Sequence, residues 1–148
     1  LTVRENVGFP LKEHTKLPAR EIDRKVSEKL DLVGLSGALD KMPSELSGGM
    51  RKRVGLARAI ALEPKIILYD EPTTGLDPLM TDTINRLILD TQRKLKLTSV
   101  IISHDIEASF QIADVIAMLH EGKMIADGTP DELKKDQGVI DAYLGVAH

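Results

Sequence analysis

The chain has no cysteine and no tryptophan, and only 2 tyrosines and 2 phenylalanines among 148 residues. Without cysteine there is no disulfide, no thiolate nucleophile and no cysteine-based zinc site, and a reducing compartment, by default the cytoplasm, is the expectation. A basic excess is missing too, because 20 Lys and Arg face 23 Asp and Glu for a formal charge of -3. Net charge therefore gives no argument for nucleic acid or for an anionic membrane surface. No apolar run approaches the roughly 20 residues of a membrane-spanning helix, and no basic segment with an apolar signal core opens the chain. A membrane role would need a partner chain. What remains is the 42% hydrophobic, 29% charged composition of an ordinary globular domain with one sizeable core. The sequence starts at Leu1 and enters patterned sequence at once, so an N-terminal part is expected to precede it.

Residues 66–77 read IILYDEPTTGLD. An apolar run of this length, bounded by turn residues, predicts a strand buried on both faces. Asp70 and Glu71 would then sit at the carboxyl edge of a sheet, where open α/β folds bind ligands. Taken alone, the two acids could equally cap a loop.

The surrounding pattern alternates helices and strands. A short helix over Val3 to Val7 is predicted to run into an extended piece, because Pro10 and charges break the period after it. Ile22, Val26, Leu30 and Val33 share one face of a helix over Pro18 to Leu35, with Pro18 in its first turn and Gly34 at its end. Ser47 is a candidate N-cap for a helix with the stripe Met50, Val54, Ala57 and Ala61, and Gly48 and Gly49 in its first turn suggest close access to backbone. Asp77 and Pro78 start a helix whose face carries Ile84, Leu87, Ile88 and Thr91, and 98–102 form a second strand ending at Ser103, His104 and Asp105. Val115 to His120 and Lys123 to Ala126 read as a hairpin around Glu121 and Gly122. Thr129, Pro130 and Glu132 open a helix over Pro130 to Lys135, and a final helix holds Val139, Ile140, Tyr143 and Leu144.

Three termini thus carry polar residues suited to one reaction. A serine-capped, glycine-rich helix start offers unpaired N–H groups and partial positive charge, which suits phosphate. An acid at a strand end can hold magnesium through water, and its neighbour can orient or deprotonate an attacking water. A histidine after the next strand could touch phosphate and water together. Hydrolysis of a nucleoside triphosphate is the reading that uses all three. His14, His120 and His148 lack such company and no metal-ligand spacing links them, so they read as structural or solvated. Arg51, Lys52, Arg53 and Arg58 favour a phosphate environment or plain solvation over DNA.

LSGGM at 46–50, IILYDEP at 66–72, TGLD at 74–77 and SHD at 103–105 resemble, in order, the signature, Walker B, D-loop and switch-histidine motifs of the ATPase subunits of ABC transporters. The resemblance covers nearly the whole chain, and DGTPDEL at 127–133 matches the family's hairpin exit. It implies an α/β fold, the C-terminal portion of a P-loop NTPase (RecA-like) domain with its helical subdomain, the latter over 1–63 and the former over 64–148. By resemblance, Asp70 would hold Mg2+, Glu71 would be the general base and His104 would contact the γ-phosphate. Ser47, Gly48 and Gly49, with Met50 where glutamine is commonest, would grip the γ-phosphate of ATP bound to a second subunit, head to tail. Asp77 would lie across that dimer interface.

No stretch matches glycine, four residues, glycine, lysine and Ser or Thr, the pattern that cradles phosphates. The 148 residues alone are therefore expected not to hydrolyse ATP. Implied partners are the second ATPase subunit, integral-membrane permease subunits contacted near Val7 to Leu17, and a lipid-binding protein, with no nucleic acid. The implied location is peripheral, on the cytoplasmic face of the bacterial inner membrane. Within the family, 3–18 and 42–64 look most like the ATPase of phospholipid (Mla-type) transporters. The rival readings are an ABC-type ATPase without a permease and a non-catalytic fragment.

Overall fold

The computed structural model of the chain describes residues 1–141. They fall into two compact units, Leu1–Ile102 and a second that begins at Ser103. The expected partition at 63/64 concerned the layers of a nucleotide-binding cassette, and the first compact unit contains that position.

In the first unit, α1 (Val3–His14) opens with a capping box: the Thr2 hydroxyl accepts from the Glu5 N–H at 3.3 Å and the Glu5 carboxylate from the Thr2 N–H at 2.7 Å. The helix does not stop near Val7 as expected but continues through Pro10 to His14. A mid-helix proline costs about 3 kcal/mol. Val3, Val7 and Leu11, spaced by four, are all buried at 2% exposure or less, and each such side chain returns about 1.5–3 kcal/mol. Burial outweighs the proline.

Helix α2 (Ala19–Leu32) buries Ile22, Val26 and Leu30 as the periodicity predicts, with Pro18 outside it as N-cap and Val33 buried just beyond it. Gly34 takes φ 70°, which ends the helix. Two single 3₁₀ turns, Ser36–Ala38 and Pro43–Glu45, lead to α3 (Gly48–Ala59), which sends Val54, Leu56 and Ala57 into the same core. Arg58 of α3 also lies over the Phe9 ring of α1, 5.6 Å from its centroid.

Lys29 is buried on α2 and reaches Glu63, after α3, at 2.9 Å, while Lys25 reaches the same oxygen at 3.0 Å. The hydrogen bonds from Lys29 and then Lys25 pull the Glu63 carboxyl down to about 2. These pairs fasten α2 to the turn that feeds the first strand.

That strand, β1 (Ile66–Asp70), pairs in parallel with β2 (Thr98–Ile102), in register from Ile66 opposite Thr98 to Asp70 opposite Ile102. Between them runs α4 (Pro78–Leu95), which buries Ile84, Ile88 and Thr91. The expectation that β1 is buried on both faces is wrong for this structure. Ile67 packs into the helical core, but Ile66 and Leu68 are 59% and 77% exposed, beside exposed Val100 and Ile102. An unbroken apolar run reports composition, not cover, and here one face of the sheet is left open to solvent.

The second unit begins with α5 (Ile106–Ile112), capped by Asp105, and continues into the antiparallel pair β3 (Ile116–His120) and β4 (Lys123–Gly128). Glu121 and Gly122 have φ 46° and 74°, the twin positive angles of a tight hairpin turn. Thr129 and Glu132 form the expected capping box of α6 (Pro130–Leu133), and α7 (Gln137–Val139) follows. Met118, Leu133 and Val139 make a small core. Tyr143 and Leu144, predicted for the last helix, lie outside the described residues, as does His148.

Candidate functional site

Asp70 closes β1, exposed, on the same face as Ile66 and Leu68. Glu71 follows with φ 48°, a left-handed conformation that costs a residue with a Cβ about 1–3 kcal/mol. The surroundings over-determine it. Its N–H donates to the Ile102 carbonyl at 2.9 Å, and its own carbonyl accepts from the Thr74 N–H at 3.3 Å and from Lys52 Nζ at 3.3 Å. Its carboxylate Oε2 accepts from the Thr74 hydroxyl at 3.0 Å. Backbone and side chain of Glu71 are thus both fixed by groups of the first unit.

The start of α3 is built as the sequence predicts. Ser47 Oγ accepts from the Met50 N–H at 3.2 Å, and helix geometry leaves the N–H groups of Gly48 and Gly49 without acceptors in their own helix. A Cβ on Gly49 would come within 2.2 Å of Met80 Cε at the start of α4, so glycine lets these two helix starts approach. Met50 turns its side chain to the helical core, which explains how an apolar residue is accommodated there. Asp77 accepts from the Met80 N–H at 3.0 Å and so caps α4.

A cavity of about 460 Å³ lies between these parts, lined by Gly48, Arg51, Lys52, Gly55 and the turn Thr74 to Leu76. Two cations beside a helix N-terminus make it electropositive. Arg51 is not merely solvated, since its guanidinium donates to the Leu46 carbonyl. Lys52 and Thr74 are the residues that sequence reasoning missed as neighbours of Glu71. No periodicity predicts a contact between a helix side chain and a carbonyl 19 residues away.

His104 belongs to the second unit and is exposed. Its neighbour Ser103 accepts from the Asp105 N–H at 3.0 Å, and Asp105 accepts from the Ala108 N–H at 3.0 Å. The structure therefore gathers Asp70, Glu71, Ser47 to Met50 and Asp77 into one unit and sets His104 at the mouth of the helix that opens the other.

Among the described residues no group of three or more His, Asp or Glu could hold a metal alone. A single exposed carboxylate such as Asp70 suits magnesium, which keeps waters and takes phosphate oxygens as its other ligands. The side-chain-free start of α3 likewise fits a phosphate approaching its backbone.

The sequence model of the ABC transporter family matches residues 1–74, and one described as branched-chain amino acid ATP-binding cassette transporter matches residues 123–148. The chain belongs to the ABC transporter family and has an α/β fold. Among its relatives, the intermembrane phospholipid transport system ATP-binding protein MlaF of Haemophilus influenzae is 49% identical over 133 residues, covering 90% of this chain and 50% of that protein. The methionine import ATP-binding protein MetN of Geobacillus kaustophilus is 46% identical over 127 residues, covering 86% and 37%. Among solved structures, cbiO1 from Clostridium perfringens, part of the ABC transporter complex cbiONQ, matches with a TM-score of 0.84 at 35% identity, covering 95% and 55%. The chain spans about half the length of the curated relatives it matches.

Proposed function

We propose that these residues form part of an ATP-hydrolysing subunit that powers an ABC transporter carrying phospholipid across or out of the bacterial inner membrane. The observation that carries the reading is Glu71, an acid held in a left-handed conformation at the end of β1 beside Asp70, in the same unit as the Ser47-capped α3. Glu71 takes the proton of an attacking water. Asp70 holds Mg2+ through water, which supplies charge neutralisation at the phosphates. His104 contacts the γ-phosphate. Ser47, Gly48, Gly49 and Met50 meet the γ-phosphate of ATP held by a second subunit, with Asp77 crossing the head-to-tail interface.

Lacking the glycine-x4-glycine-lysine pattern, the 148 residues alone hydrolyse no ATP above a Glu71→Gln control. No helix among the described residues is long and apolar enough to cross a membrane, so attachment to the inner membrane's cytoplasmic face runs through permease subunits, with a lipid-binding protein as a further partner. The likeness to MlaF supports phospholipid as cargo, and the likeness to MetN supplies the competing one.

In a cassette in which a P-loop precedes these residues, Mg-ATP should drive dimerisation, read by light scattering, and Gly48→Asp should abolish it while each subunit still binds ATP. Dimerisation unaffected by Gly48→Asp would sink the head-to-tail site. Reconstituted with its permease, the ATPase should respond to phospholipid and not to methionine, and the reverse response would exclude the phospholipid reading.

A further inference from the structure

The left-handed backbone at Glu71 needs a cause, because the residue has a Cβ and its unconstrained preference is extended or right-handed. Its N–H is held by β2, through Ile102, and its carbonyl and carboxylate by the N–H and hydroxyl of Thr74, three residues on. These contacts are local or belong to the sheet. From the helical layer, the half-buried ammonium of Lys52 donates to the Glu71 carbonyl at 3.3 Å. A hydrogen bond from a charged donor is roughly twice as strong as a neutral one. A change in φ at Glu71 swings Cβ and the carbonyl about the N–Cα bond together, so a bond that holds the carbonyl also restrains where the side chain starts.

We infer that Lys52 is a positioning residue for Glu71: by holding the Glu71 carbonyl from α3 it keeps the backbone left-handed and thereby aims the carboxylate. The catalytic consequence rests on the reading of Glu71 as general base given above, whereas the conformational one stands without it. Lys52 lies one turn beyond the Gly48 and Gly49 start, so a single helix carries both the anion-binding terminus and the donor that fixes the acid. The neighbouring Arg51 donates instead to the Leu46 carbonyl. Misorientation of a reacting group by about 1 Å can cost on the order of a hundredfold in rate, and this is the scale on which Lys52 acts.

The test begins with the 148-residue chain, labelled with 13C and 15N. Lys52→Met should move the Glu71 Cα and carbonyl resonances away from left-handed values and speed amide exchange at Thr74, while the resonances of the α1 to α2 core stay in place. Lys52→Arg, which keeps a charged donor, should restore both. If Lys52→Met disturbs the core resonances as well, Lys52→Gln, a shorter neutral donor, is to be used and should show an intermediate shift at Glu71. In a cassette that carries a P-loop, Lys52→Met should lower kcat about ten- to a hundredfold with KM for ATP within about twofold of wild type, and Lys52→Arg should recover most of the rate. Unchanged Glu71 resonances, or a kcat loss matched by a KM rise that Lys52→Arg fails to rescue, would overturn the assignment. A Glu71→Gln cassette that hydrolyses ATP at the wild-type rate would instead refute the role of Glu71, and the resonance shifts would still decide the role of Lys52.

Discussion

In the α1 to α3 layer, Val3, Val7, Leu11, Val26, Leu30 and Ile60 are at most 2% exposed, whereas in the adjoining sheet Leu68 and Ile102 remain 77% and 63% exposed. The strands, IILYD and TSVII, are the more apolar in sequence and the helices carry many charges, so composition does not predict which region is covered. The helical layer closes on itself, because three amphipathic helices can bury their faces against each other. A pair of parallel strands cannot do so, and two strands alone make a marginal sheet. Helices cover the face that carries Ile67, and the open face carries Asp70. Asp70 and Glu71 therefore sit on the less self-sufficient half, while the finished half presents the Ser47-capped start of α3 and reaches over to Glu71 through Lys52.

Stability measurements on the two regions should differ accordingly. The largest effect is expected for Leu30→Ala in the helical core, which should cost about 3–5 kcal/mol in denaturant unfolding of the chain; a loss below about 1 kcal/mol would mean that the layer is not closed. Next comes Glu63→Gln, which leaves the buried Lys29 ammonium without its charge partner and should cost about 1–2 kcal/mol near neutral pH, discounted because Glu63 is half exposed. Since the folded carboxyl of Glu63 lies at about 2, below its ordinary 4.5, its stabilisation is complete above about 4.5 and disappears as pH falls towards 2. The gap between wild type and Glu63→Gln should close over that window and be flat above it. Ser47→Ala should cost about 1 kcal/mol through the lost cap of α3, with Ser47→Asp nearly neutral. Smallest is Leu68→Ser on the open face of the sheet, expected within about 0.5 kcal/mol of wild type. A cost comparable to that of Leu30→Ala would show that this face is covered in solution and would erase the contrast.

What could be read from the sequence is what local chemistry controls. Ser47, Asp77 and Thr129 each cap the helix they were expected to cap, and Glu121 with Gly122 makes the expected hairpin turn, because each depends on neighbours within a few residues. The spacing of Ile22, Val26 and Leu30 likewise gave the buried face of α2 directly. The continuation of α1 through Pro10 was hidden, since it is decided by the burial of Leu11 against other helices rather than by propensity. The open face of β1 was hidden for the complementary reason: Ile66 and Leu68 look the same in sequence whether or not another layer meets them. At the site, Asp70 and Glu71 were found by their place after an apolar run. The left-handed turn at Glu71 and its tie to Lys52 were not, because both arise only once α3 and β1 are packed together.

The role proposed for Glu71, the base of an ATP-hydrolysing site, is decided by single-turnover hydrolysis. In a cassette in which a P-loop precedes these residues, Glu71→Gln should lower the rate of the chemical step by about 10²–10⁴-fold while Mg-ATP affinity stays within about twofold of wild type. Hydrolysis by Glu71→Gln at the wild-type rate would contradict it.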